Sequence, residues 1–187
     1  MFGVRFNYSI RFGLAALFLA LGASAATLEQ LSLTDLIAKS TAIVRGTVQG
    51  SSVSVIGAVI YTHYAIKVSE QLKPLTGSAA TVDVMLQGGM ANGVMQRFAG
   101  VPRFQAGDEY VFFLWTGPSG RTQLTGLTQG LFAVGTPGAS NPVLTRSASQ
   151  ETVLDAHTHR PVQPQALSMT LTELRSQIAS VLSGAVQ

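Results

Sequence analysis

The sequence predicts a mainly β domain: a small barrel of five to seven strands with a short N-terminal helix and a C-terminal helix. Three observations predict it. Apolar residues change from a helical to a two-residue period after Ser40, glycine-rich turns divide short β-rich runs, and a capped helical stripe occupies residues 170 to 184. Closing short twisted strands on themselves removes exposed edges, which favours a barrel, with an open sandwich as the competing arrangement.

The chain begins with a basic start (Arg5, Arg11), a short apolar run from Gly13 to Leu21 and the small residues Ala23-Ser24-Ala25. That order is the pattern of a secretory signal peptide over 1–25, cleaved after Ala25 or Ala26, and leaves one domain over 26–187. The apolar run spans about half a bilayer core as a helix, so no permanent membrane anchor is expected. The expected destination is the periplasm or the exterior of a bacterium.

Ser32 to Ser40 reads as a short helix, capped by Ser32 or Thr34, with Asp35 in the first turn and Leu33, Leu36 and Ile37 as its apolar stripe. Ala42 to Val48 is β-rich. From Val59 to Leu72 the residues Ile60, Thr62, Tyr64, Ile66 and Val68 share one face, and Gly57 marks a hairpin turn pairing these two runs. Pro74 to Ser78 breaks the pattern. Ala80 to Gln87 resumes it with Val82, Val84 and Leu86 inward. Residues 88 to 107 have no period and are read as one long loop. Tyr110 to Trp115 is apolar on both faces, as a central strand buried on two sides would be. Gly117 to Gly120 is a turn. Gln123 to Leu127, Leu131 to Val134 and Val143 to Arg146 follow as short strands, and His157 to Gln165 as an irregular connector. Thr170 to Glu173 is a capping box, and Leu171, Leu174, Ile178, Val181 and Leu182 form the final apolar stripe, with Gly184 as a stop.

Composition excludes several roles. The full chain carries 12 Lys+Arg and 9 Asp+Glu; without Arg5 and Arg11 the mature balance is close to neutral and its cations are scattered. A nucleic-acid binder concentrates its cations, and this chain does not. Cysteine is absent, so there is no disulfide, no thiol nucleophile and no lipoprotein anchor site. A domain of about 160 residues is large enough to be held by its core alone.

Gly88-Gly89, Gly100-Val-Pro-Arg-Phe104, Ala106 to Leu114 and Gly126-Leu-Thr-Gln-Gly-Leu-Phe132 resemble a group of exported bacterial proteins without a settled activity. Ser40 to Val48 and Tyr61 to Lys73 are similar to that group's opening hairpin, so the likeness covers roughly residues 30 to 135. The resemblance implies an OB-like (oligonucleotide/oligosaccharide-binding type) barrel, distantly like the netrin-like domain of tissue inhibitors of metalloproteinases. It also implies a protein partner, an exported protease among the candidates. Those inhibitors chelate the protease zinc through an N-terminal cysteine; here the mature start is Ala26 or Thr27, so that device does not carry over.

The stretch from Gly88 to Phe104 is the first candidate site, because long loops in compact domains are commonly functional. Met90, Asn92, Met95, Arg97, Phe98 and Arg103 combine flexible thioether, aromatic and guanidinium contacts that suit a partner surface. The alternative is that Phe98, Val101 and Phe104 fold back as a plug. Asp155, His157 and His159 are the second candidate. In an extended segment they project to one side, where two imidazoles and a carboxylate suit zinc and a metal-dependent hydrolase; surface histidines in a linker are the competing reading. Asp108 is read as a turn residue, Gln129 as satisfying buried backbone groups and His63 as a partly buried hydrogen-bonded side chain. The serine-hydrolase, metalloprotease and phosphate-loop motifs are absent. The expected role is a non-enzymatic exported binding or accessory module working through the 88–104 loop, with no cofactor.

Overall fold

The computed structural model describes residues 27–74, 80–149 and 151–184. The signal-peptide reading, and most of the break at Pro74 to Ser78, lie outside them. Among the described residues the elements are β1 (Thr27–Glu29), α1 (Leu33–Lys39), β2 (Ala42–Ile56), β3 (Val59–Lys73), β4 (Thr81–Gln87), β5 (Gly89–Ala91), β6 (Val94–Gln96), β7 (Glu109–Thr116), β8 (Thr122–Leu124), a 3-10 turn (Leu127–Gly130), β9 (Leu131–Val134), β10 (Val143–Arg146), β11 (Thr152–Leu154), β12 (Pro161–Val162), β13 (Leu167–Thr170) and α2 (Leu171–Leu182).

The fold is mainly β with two helices, built on one large antiparallel sheet in the order β13-β10-β9-β7-β2-β3-β4, with β8 also pairing β7. Among the described residues the expected closed barrel is not formed. β4 and β13 end the sheet, and β8, only three residues long, comes near β4 without a hydrogen-bonded ladder joining them. β1 and β11 pair in parallel in a small separate sheet with β12.

Period-2 patterning explains the core. β7 sits between β2 and β9 and is buried on both faces, as its unbroken apolar run predicts. Val111 and Phe113 point into a first cluster, with Ile43, Phe132 and Leu144, which α1 and α2 cover through Leu36, Ile37, Leu171, Leu174 and Ile178. Phe112 and Leu114 point into a second, with Val44, Tyr64, Ile66, Val84 and Leu86. Register shifts at Ile43/Val44, Arg45/Gly46 and Val48/Gly50 bend the long β2–β3 hairpin. Gly46 permits this bend, because a Cβ there would stand 2.7 Å from both Ile66 Cγ2 and the Lys67 carbonyl oxygen.

Most polar side chains inside the fold are paired; among the described residues the buried Thr128 hydroxyl is without a partner. Arg45 Nε donates to Glu109 Oε1 at 2.6 Å with both side chains buried, Arg45 Nη1 donates to the Ala139 carbonyl, and Gly138 N–H donates to Glu109 Oε2. Gln129 accepts from Leu31 N–H and donates to the Glu29 carbonyl, the backbone role expected of it. Asp108 accepts from Gln105 N–H in its turn. Lys73 Nζ donates to the Ile37 and Ser40 carbonyls at the end of α1, and burial pulls its pKa down.

Candidate functional site

The stretch 88 to 107 was expected to lack structure, and it contains a hairpin. Gly88 (φ +100°) and Gly89 (φ +144°) turn the chain off β4 and across β3. A Cβ on Gly89 would meet Thr62 Oγ1 at 2.7 Å and Ile60 Cγ2 at 3.1 Å, so only glycine allows that approach. Asn92 (φ +50°) and Gly93 (φ +74°) then join β5 to β6. This is the Asn-Gly signal of a two-residue hairpin turn. Gln96 fastens the hairpin to the β2–β3 turn: its Oε1 accepts from Ile60 N–H at 2.7 Å and its Nε2 donates to the Ala58 carbonyl at 2.8 Å.

Beyond β6 the chain crosses back over the second cluster. Phe104 is buried against Tyr64, Phe112 and Tyr110, with ring centroids 4.9, 5.7 and 5.3 Å away, and Val101 packs beside it. These two residues are the plug. Phe98 is not part of it: like Met90 and Met95 it stays exposed, at 39%, 61% and 50% respectively.

A cleft of about 190 Å³ lies between this crossing segment and the sheet, lined by Thr62, Tyr64, Leu86, Gln87, Gly88, Arg97, Phe98, Val101, Pro102 and Arg103. A wider recess of about 560 Å³ shares Leu86, Arg97, Phe98 and Val101 with it, and opens into the gap between β4 and β8 through Met85, Gln123 and Leu124. The structure therefore brings Arg97, Phe98 and Arg103 together at one cleft. Met95 joins them through its Sδ, which accepts from Arg97 Nε at 3.3 Å. Asn92 serves the turn, and Met90 pairs with Met95 across the hairpin without lining the cleft.

Asp155, His157 and His159 do not lie in an extended segment. The extended geometry that would align them is replaced by a turn, in which Asp155 Oδ1 accepts from His157 N–H, Thr158 N–H and the Thr158 hydroxyl. Those hydrogen bonds hold the Asp155 carboxyl below the usual carboxylate range. His159 closes the turn at φ +52°. Among the described residues, no three His, Cys, Asp or Glu groups converge as a metal site needs.

Sequence reasoning missed one arrangement. The pairing of β2, β3 and β4 sets Ser54, His63 and Asp83 diagonally on the sheet face turned away from the second cluster. Ser54 Oγ lies 2.8 Å from His63 Nε2, and His63 Nδ1 lies 2.8 Å from Asp83 Oδ2. With the proton on Nδ1, the serine hydroxyl donates to the imidazole and the imidazole donates to the carboxylate. The line is open to solvent: the Asp83 side chain is 62% exposed and that of His63 25%. Same-face alternation would have revealed it had β2 been carried past Val48.

Compared with known families and with characterised proteins, the chain matches no family model and no curated relative.

Proposed function

We propose that the chain is an exported bacterial binding module, non-enzymatic, that holds a protein partner through the 88–104 segment. One observation carries this reading. Exposed Phe98 and two arginines that have no carboxylate partner among the described residues line a cleft, with exposed Met95 beside Arg97, on a segment the fold fastens down through Gln96 and Phe104. Anchored apolar and guanidinium contacts around a concavity are what interface centres are made of. The strands β8-β7-β2-β3-β4 curl around the second cluster, and we read them as an OB-like barrel left open between β4 and β8. Export rests on the order of residues 5 to 25, and an exported protease is the partner that the resemblance to the bacterial group favours. The test is affinity capture from periplasmic and exoprotein fractions with mature protein, beside Arg97→Ala/Arg103→Ala. A specific partner captured by the wild type and lost by the variant is expected; a partner retained unchanged overturns the reading.

A second reading, separate from the metal-dependent hydrolase expected at Asp155, His157 and His159, is favoured by the Ser54–His63–Asp83 line. In this reading Ser54 Oγ attacks an ester carbonyl while its proton passes to His63 Nε2. The leaving alkoxide takes that proton, and water then cleaves the acyl-serine. Release of p-nitrophenolate from p-nitrophenyl acetate, abolished in Ser54→Ala, supports it; equal rates for wild type and variant remove it.

A further inference from the structure

We infer that the cleft beneath the 97–103 segment is a carboxylate pocket that receives an acidic group of a peptide partner. This deepens the binding-module reading and rests on it. The charged residues lining the cleft are both cationic. Arg97 and Arg103 both line it, and among the described residues neither forms an ion pair, whereas Lys39, Arg45 and Arg175 each face a glutamate. Glu151 lies against Gly100, but its carboxylate takes the Ser149 hydroxyl.

Tyr64 is the second, independent observation. Its side chain comes from the buried face of β3, it is only 6% exposed, and it lines the cleft. Among the described residues its hydroxyl has no hydrogen-bond partner, although it is not sealed from solvent-sized space. The neighbouring Thr62 hydroxyl already donates to the Gly88 carbonyl at 2.7 Å, so it does not compete for a ligand. A phenol hydroxyl at a solvent-reached cleft has a proton free to donate to a ligand that displaces water. Two guanidinium groups beside it specify that the acceptor is anionic, and their planar forks match a carboxylate. Leu86, Phe98 and Val101 supply apolar walls for the methylenes that carry the acid.

An acidic side chain and a chain terminus share this chemistry, and the test separates them. The mature protein is titrated with N-acetyl-glutamate amide, with its uncharged isostere N-acetyl-glutamine amide and with N-acetyl-alanine bearing a free carboxylate. Backbone amide shifts of Gly88 and Gly89 and the Arg97 and Arg103 Nε–H resonances are followed. The inference expects saturable shifts with one or both carboxylates and none with glutamine, in the millimolar range for so small a probe. Tyr64→Phe should weaken the binding about tenfold, the loss of one charge-assisted hydrogen bond, with the melting temperature kept as the folding control. Arg97→Gln/Arg103→Gln should abolish it. Equal shifts with glutamine, no response up to about 50 mM of either carboxylate, or an unchanged affinity in folded Tyr64→Phe overturns the inference. In that event, capture of a partner that is lost in Arg97→Ala/Arg103→Ala leaves the binding-module reading standing.

Discussion

Arg45 and Glu109 form an ion pair whose side chains are both buried, with their remaining hydrogen bonds directed at the Ala139 carbonyl and the Gly138 N–H. Desolvation makes such a pair poor at adding net stability, but breaking it leaves a charge with no partner and no water. Arg45→Met should therefore cost about 3–5 kcal/mol in urea denaturation, while Arg45→Met/Glu109→Leu recovers most of that loss. A single variant within about 1 kcal/mol of wild type would mean that water reaches Glu109. At this scale the candidate site was half legible. Arg97, Phe98 and Arg103 were named from the glycine-rich stretch and line one cleft, although the plug alternative claimed Phe98 as well. Tyr64 did not, because alternation along β3 accounts for its ring and says nothing of where its hydroxyl goes. Asp155, His157 and His159 misled because their spacing aligns them only if the chain is extended, and the Asp155 carboxylate folds its own segment into a turn.

The two helices start on reciprocal caps: Ser32 with Asp35 on α1, and Thr170 with Glu173 on α2. The Ser32 side-chain hydrogen bond holds the Asp35 carboxyl below the usual carboxylate range, and the Thr170 N–H does the same for Glu173. A carboxyl whose folded-state pKa is depressed stabilises the fold above its unfolded pKa, and that contribution disappears as pH falls through the folded value. The gap in melting temperature between wild type and Asp35→Asn should thus be full near pH 7 and should close as pH drops below about 4, with Glu173→Gln behaving alike. A gap independent of pH would show that the caps act through shape alone. The α2 capping box was visible in the sequence, since it needs only residues three apart, whereas on α1 the sequence left the cap between Ser32 and Thr34. The far half of β2 was not, because Gln49 to Ser54 is rich in glycine and serine, and its strand form comes from pairing with β3. The β5–β6 hairpin is hard to read from sequence for a different reason: its strands are too short for a period, and only Asn92-Gly93 marks it.

The molecule is organised about β7, whose consecutive residues Phe112 and Phe113 serve different clusters. The long apolar run made its central position legible. The sheet's failure to close was not, since that depends on β8 ending after three residues beside β4. Phe112→Ala and Phe113→Ala should each cost about 3–5 kcal/mol, as truncation of a fully buried phenylalanine does. Their local consequences should differ. Among the described residues, the buried side chains of α1 and α2 belong to the Phe113 cluster and the Phe104 plug to the Phe112 cluster. Sub-global opening follows such packing boundaries. Hydrogen exchange under native conditions should therefore speed up first in α2 for Phe113→Ala, and first in the 101–105 segment and β4 for Phe112→Ala. The second variant should also loosen the floor of the cleft, because Tyr64 and Phe104 pack in that cluster. Matching exchange patterns in the two variants would show that β7 couples both clusters into one cooperative unit, and that the cleft cannot yield without the helices.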